Sequence, residues 1–285
     1  MQLLQKSNYK RHGLEYGYSQ PISAHVTSHH SKAGTPTMGG IVFVIAWICI
    51  VFLHANNIPN SHSKGKYSII YPYILIPVAF SLLGLYDDVK KIYYKSNSGI
   101  RAKNKFIFQC LISFLLTYLL FNVSLFKAIW WSFVITATAN ALNITDGLDG
   151  LAVSCSIIII ATISLITSNA IGLLFLFSIL IFLQFNKYPA RIFMGDTGSM
   201  LLGSVIAILF LTHNLEWYLT ISGLVLVLET LSVIIQISSI KLCNKKIFKM
   251  SPIHHHLEHY LHEKTITKLA IFITIVANLL IIYLI

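Results

Sequence analysis

Nine apolar stretches, at approximately 39–54, 68–86, 106–124, 126–143, 151–167, 170–186, 198–213, 217–240 and 266–285, occupy most of this 285-residue chain. Each approaches the roughly 20 residues a helix needs to cross the hydrocarbon of a bilayer. With 55% hydrophobic and 11% charged residues, the chain has too little polar surface to enclose a soluble globule of its size. The pattern predicts an all-α integral membrane protein, a polytopic bundle of about nine transmembrane helices. Residues 39–285 form one domain behind a polar, basic N-terminal segment, 1–38. That segment has no signal-peptide pattern, so the first span is expected to direct insertion. Cys49, Cys110, Cys155 and Cys243 lie in or at the ends of spans without Cys-x-x-Cys spacing, which argues against a disulfide framework or a zinc site.

The basic residues give the orientation. With the N-terminus cytoplasmic and the spans alternating, 17 of the 21 Lys and Arg fall on the N-terminal side, in 1–38, 87–105, 187–197 and 241–265. Only Lys64, Lys66 and Lys127 fall on the other, and Lys268 stands at a helix start. An excess of cations marks the cytoplasmic side. The net charge of +11 is therefore a topology signal, and no nucleic-acid partner is expected.

All five aspartates are expected in three short loops that alternation places on this cytoplasmic side: Tyr86 to Lys91, Asn143 to Gly150, and Met194 to Ser199. A fourth segment there carries Ser251-Pro252-Ile253-His254-His255-His256. Adjacent acids at the C-terminal end of a helix oppose its dipole, so a cation or nearby lysines must compensate. Lys90, Lys91, Lys95, Arg101, Lys103 and Lys105 follow at once, a combination suited to a polyanionic substrate that arrives with a divalent ion. Asp196 or Thr197 is placed to cap the seventh span. Three successive histidines diverge by about 100° each on a helix and cannot ligate one ion, so one His is expected to face the carboxylates. Glu229 and Gln236 share a face of the eighth span and are expected to bond between helices. Gly34-Thr35-Pro36-Thr37-Met38-Gly39-Gly40 reads as a rigid turn followed by small residues that permit close backbone approach.

In this order, these segments resemble the bacterial phospho-N-acetylmuramoyl-pentapeptide transferases, of the polyprenyl-phosphate N-acetylhexosamine-1-phosphate transferase superfamily. The matching runs are Lys32 to Gly40, Asp87-Asp88, Asn143 to Ala152, Asn186 to Ala190, Phe193 to Asp196, Glu229 to Gln236 and Met250 to His256. The resemblance implies a magnesium-dependent transfer of the phospho-sugar-pentapeptide from UDP-N-acetylmuramoyl-pentapeptide to undecaprenyl phosphate in the bacterial cytoplasmic membrane. The products are lipid I and UMP, the first membrane step of peptidoglycan synthesis. It implies catalytic roles for Asp87, Asp88, Asp196 and His254, with Asp196 the magnesium ligand. Substrate-binding roles are implied for Lys32, Thr37, Lys91, Lys95, Lys103, Asn143, Asp146, Asp149, Asn186, Phe193, His255 and His256, with the Phe193 ring offered to uracil. It further implies a homodimer. The family norm is ten spans, and the helix that would precede residue 39 has no counterpart here; beyond Glu258 the match fades, and Leu257 replaces a usual Phe. Two rival readings are a related transferase using UDP-N-acetylglucosamine and a cation-coupled transporter. The first lacks the Ser-Pro-Ile-His-His-His run, and the second predicts carboxylates at mid-membrane rather than at one face.

Overall fold

The computed structural model describes residues 34–56, 63–94 and 99–285. Lys32, Lys95 and the His29-His30 pair lie outside the described residues, as does nearly all of the N-terminal segment. Among the described residues there are eleven helices: α1 (Ile41–Asn56), α2 (Ser63–Tyr93), α3 (Ala102–Phe121), α4 (Leu125–Thr145), α5 (Leu151–Ile166), α6 (Ala170–Asn186), α7 (Gly195–Leu211), α8 (Glu216–Ser222), α9 (Leu224–Cys243), α10 (Ile253–Leu257) and α11 (Glu263–Leu284). Five are long and apolar enough to cross a membrane: α2 over Ile70–Tyr93, α3, α4, α9 and α11. The shorter apolar helices α1, α5, α6 and α7 complete a multi-pass bundle. The expected eighth span is broken at Gly223 into α8 and α9. All four cysteines are free.

Helix α7 is the axis of the bundle. Every residue from Thr197 to Leu211 is buried, and α1, α2, α4 and α5 all pack on it. A helix apolar all round is stable only when enclosed in this way. At its N-terminal end the approach of α2 is very close: a Cβ at Gly84 would lie 2.3 Å from the Asp196 carbonyl oxygen. Only glycine allows the two backbones to meet there, and the contact delivers the acids one turn further along α2 to the start of α7.

Helix α3 has inverted amphipathicity. Its buried residues are Lys105, Gln109, Ser113 and Thr117, spaced by four, while Phe106, Leu111, Leu115 and Leu119 are exposed. Lipid takes the apolar side and the bundle takes the polar one. Asn140 donates to Gln109 Oε1 at 2.7 Å, and Ser113 lies 2.6 Å from Ser132 Oγ and 3.0 Å from Thr136 Oγ1, so the middle turns of α3 are hydrogen-bonded to α4. Helix α1 instead buries the apolar row Phe43, Trp47, Val51 and Ala55. The Trp47 indole N–H donates to the Tyr73 carbonyl at 2.5 Å. That carbonyl needs an outside donor because the residue four positions on, Pro77, has no N–H.

The two ends of the bundle are distinct. At one, Tyr73 Oη meets Thr212 Oγ1 at 3.0 Å and Asn169 donates to Tyr73 at 3.2 Å. The other end gathers the C-termini of α2, α4, α6 and α9 with the N-termini of α3, α5, α7 and α11, and it carries the acids, as alternation of spans requires.

Candidate active site

Asp146 and Asp149 lie in the turn after α4, but Asp87, Asp88 and Asp196 are not in loops. Helix α2 continues to Tyr93, so Asp87 and Asp88 stand within its last turns; Asn143 is on α4, and Asp196 is in the first turn of α7. Two lysines join two of these carboxylates. Lys105 Nζ lies 2.5 Å from Asp196 Oδ2 and 3.5 Å from Asp87 Oδ2, while Lys91 Nζ lies 3.0 Å and 2.9 Å from the same oxygens. Asp87 Oδ1 accepts from the Ile100 N–H. Asn143 donates to Asp196 Oδ1 at 3.0 Å and to Ser199 Oγ at 2.9 Å. Helices α2, α3, α4 and α7 thus each contribute to one charge-balanced cluster.

Asp88 has a different position. Its carboxylate accepts from the Asp196 N–H at 3.0 Å, the Thr197 N–H at 2.9 Å and the Thr197 hydroxyl at 2.7 Å. This is an N-cap supplied from a neighbouring helix, since no side-chain cap hydrogen bond is made at the cap position itself, Met194. The expectation that Asp196 or Thr197 caps α7 is therefore corrected. Placing Asp88 at the positive end of α7 also answers how adjacent acids tolerate the end of α2.

The three histidines point three ways. His254 is 1% exposed, and its Nδ1 lies 2.9 Å from Glu229 Oε2, which also accepts from the His254 backbone N–H at 3.3 Å. Its Nε2 is buried without a hydrogen-bond partner, against Gly147 of the Asp146 to Gly150 turn. His255 Nδ1 meets Glu258 Oε2 at 2.6 Å, and His256 packs between the rings of Phe248 and Tyr260. Glu229 and Gln236 were expected to bridge membrane helices. Both instead fasten the α9–α11 connection: Gln236 bonds the backbone of Ile247 and Phe248. A Cβ at Gly147 would stand 2.2 Å from His254 Nε2. Gly147→Ala is expected to destabilise the protein by about 1–3 kcal/mol and to impair transfer. His254→Ala alone loses the Glu229 bond and is itself expected to be destabilised, but in that background the Gly147→Ala methyl should cost little further thermal stability in detergent; an undiminished cost there would show that the ring is not what the methyl meets.

The remaining residues lie in the turn after α4, at the end of α6 and in the α6–α7 connection, and ahead of α1. Asp149 accepts from the Ala190 N–H at 2.7 Å, and its own N–H donates to Glu263 at 2.6 Å. Asp146 ends α4. Asn186 is buried and donates to the Ile192 carbonyl at 3.0 Å, leaving its Oδ1 without a partner. Phe193 is half-buried and is held by backbone: its N–H donates to Pro36 O at 2.8 Å, and its carbonyl accepts from Gly39 at 3.0 Å. The expected close approach at Gly39-Gly40 is made, against this segment and Gly198. Thr37 is buried with its Oγ1 unpartnered, 3.2 Å from where a Cβ on Gly195 would sit.

Lys103 is exposed and outside the cluster. The residue that sequence reasoning passed over is Lys105, two positions on. The signal was available in the four-residue spacing of Lys105, Gln109, Ser113 and Thr117, which marks the inward face of α3.

Among the described residues no group of three or more His, Cys, Asp and Glu gathers around one point. Magnesium commonly takes one or two carboxylates and completes its shell with phosphates and water. Asp196 and Asp87, held on common lysines, match such a donor set.

Comparison with known proteins agrees with this geometry. The family model described as glycosyl transferase family 4 matches residues 70–214, half of the chain. The phospho-N-acetylmuramoyl-pentapeptide-transferase signature 1 matches residues 32–44. A phospho-N-acetylmuramoyl-pentapeptide-transferase of Clostridium perfringens is 38% identical over 254 residues, covering 81% of this chain and 78% of its own length. That of Helicobacter hepaticus is 36% identical over 84% of this chain and 78% of its own, and that of Clostridium acetobutylicum 35% identical over 94% and 90%. With these helices, this cluster and these relatives, the chain belongs to the phospho-N-acetylmuramoyl-pentapeptide-transferase family.

Proposed function

We propose that the protein transfers phospho-N-acetylmuramoyl-pentapeptide from its uridine diphosphate carrier to undecaprenyl phosphate, forming lipid I and UMP in the cytoplasmic membrane. The observation that carries this reading is the pair of lysines, Lys105 buried and Lys91 partly buried, shared by Asp87 and Asp196 beside the start of α7. A donor pyrophosphate entering this cluster meets two ammonium groups, the Asn143 amide and the Asp196 carboxylate. Magnesium bound at Asp196 and Asp87 would neutralise charge on the phosphates. Lys91 and Lys105 orient the donor and spread the charge that develops in transfer. A phosphate oxygen of the lipid attacks the β-phosphorus in line, the bond from that phosphorus to the bridging oxygen breaks, and UMP leaves with the electron pair. Direct transfer is favoured over a carboxylate nucleophile. Asp87 is bonded through both oxygens, and Asp88 is committed to the cap of α7. No general base is required, because a phosphate monoester with its second pKa near 6 is mostly dianionic at neutral pH.

An apolar groove between α4, α8 and α9, lined by Trp130, Phe133, Ala137, Trp217, Val227 and Leu231, suits the polyprenyl chain. Its wall includes Ala141, two residues before Asn143. The cation count supports a site at the cytoplasmic face, where the nucleotide donor is available. Pairing of two copies is proposed with this reading, and cross-linking in native membranes that returned only monomer would overturn it.

The test incubates membranes carrying the protein with labelled donor, undecaprenyl phosphate and magnesium, alongside Asp196→Ala and a chelated sample. Labelled lipid is expected from wild type alone. Product with UDP-N-acetylglucosamine instead would establish the sibling activity. Product unaffected by chelation would remove the metal from the reading.

A further inference from the structure

Beyond Glu229, α9 leaves the bundle. Its only buried residues there are Ser232 and Gln236, while Leu231, Ile234, Ile235, Ile237 and Ile240 are exposed, and Leu242 is 84% exposed. An apolar row that persists to the last turn belongs at lipid rather than in water. The chain then reverses at Asn244, whose left-handed conformation ends the helix. The returning strand is tied back onto α9: Ser239 Oγ donates to the Lys245 carbonyl at 2.8 Å, and Gln236 accepts from the N–H groups of Ile247 and Phe248 at 3.1 and 2.9 Å. Gln236 lies seven residues before the end of α9, about 10 Å along the axis at 1.5 Å per residue. Ile247, 58% exposed, is therefore carried back alongside the apolar row. Lys241, Lys245 and Lys246 flank it, all exposed, and none pairs with a carboxylate among the described residues.

We propose that the end of α9 and its returning turn, from Lys241 to Ile247, form an anchor on anionic phospholipid headgroups, with Leu242 and Ile247 seated at the acyl boundary. Lysines beside inserted apolar side chains place their stems along the apolar layer and their ammoniums at the phosphates. The anchor fixes the free half of α9, and through Gln236 and Glu229 it steadies the segment that carries His254. It rests on the proposed topology only in placing this end at the cytoplasmic leaflet.

Purified full-length protein in neutral detergent is titrated with phosphatidylglycerol or phosphatidylcholine, and bound lipid is counted by native mass spectrometry. Wild type is expected to prefer phosphatidylglycerol. The K241Q/K245Q/K246Q variant should lose a factor of about five in that affinity for each lysine removed, with its melting temperature unchanged. Ile247→Ser should weaken binding of both lipids. Lys127→Gln, at the other end of the bundle, serves as the control, and an equal loss there would overturn the assignment. So would undiminished phosphatidylglycerol binding by the triple variant. Unchanged lipid binding with a raised KM for the nucleotide donor would instead assign the lysines to the donor's acidic peptide. Because lipid binding is read without turnover, absence of transferase activity in wild type would count against the proposed reaction and not against the anchor.

Discussion

Lys105→Gln is expected to lower the transfer rate by about 10²–10³-fold, the range found when one preorganised charge-stabilising donor is removed. The ammonium lies against both Asp196 and Asp87, so its loss leaves Lys91 alone to balance the buried Asp87 and the partly buried Asp196 carboxylates. Lys105→Arg should recover little. The guanidinium is a wide planar fork, whereas the site holds a compact point charge between two oxygens from different helices. Lys103→Gln, on the exposed side of the same helix, should change the rate only a few-fold. Initial rates of lipid-linked product formation decide the matter, and equal losses at 103 and 105 would show that the inward face of α3 is not what matters.

Asp88→Ala should act first on stability. It removes the acceptor for two backbone N–H groups and one hydroxyl at the start of a fully buried helix, and about 3 kcal/mol is expected from the lost cap and the donors left without partners. Asp88→Asn should recover only part of that loss, because its one amide oxygen can keep the two Thr197 donors while its NH2 group faces the Asp196 N–H. Asp87→Asn should show the opposite profile, with a melting temperature close to wild type and a severe loss of rate. Thermal unfolding in detergent beside initial rates separates the two adjacent acids. An Asp88→Asn protein that is stable yet as inactive as Asp196→Ala would refute the capping role.

The bilayer made much of this architecture legible. Apolar runs announce spans because lipid leaves the backbone no alternative to helix, and the lysine count placed the acidic segments at one end. Hydropathy failed where charge enters a helix that does not stop. Asp87 and Lys91 are four residues apart and pair on the surface of α2, so the helix runs on through residues that read as a loop. The capping of α7 by Asp88 was hidden for another reason. It joins residues 108 and 109 positions apart, and it depends on the Gly84 contact between helices that no local pattern reports. Lys105 was missed by reading basic residues as a loop composition when its periodicity with Gln109 and Ser113 carried the information.

The enclosure of α7 bears on synthesis as well as on catalysis. A chain emerging from the ribosome presents Asp87, Asp88, Lys91 and Lys105 to the membrane roughly a hundred residues before the helix that receives them. Until α7 slides between α2 and α4, these four charges have neither the cap donors nor the Asp196 carboxylate, and α3 has no filled interior to lean on. A product released early, or a fragment ending after α6, therefore contains most of the reactive side chains without any assembled centre. The centre is complete only once α7 is in place.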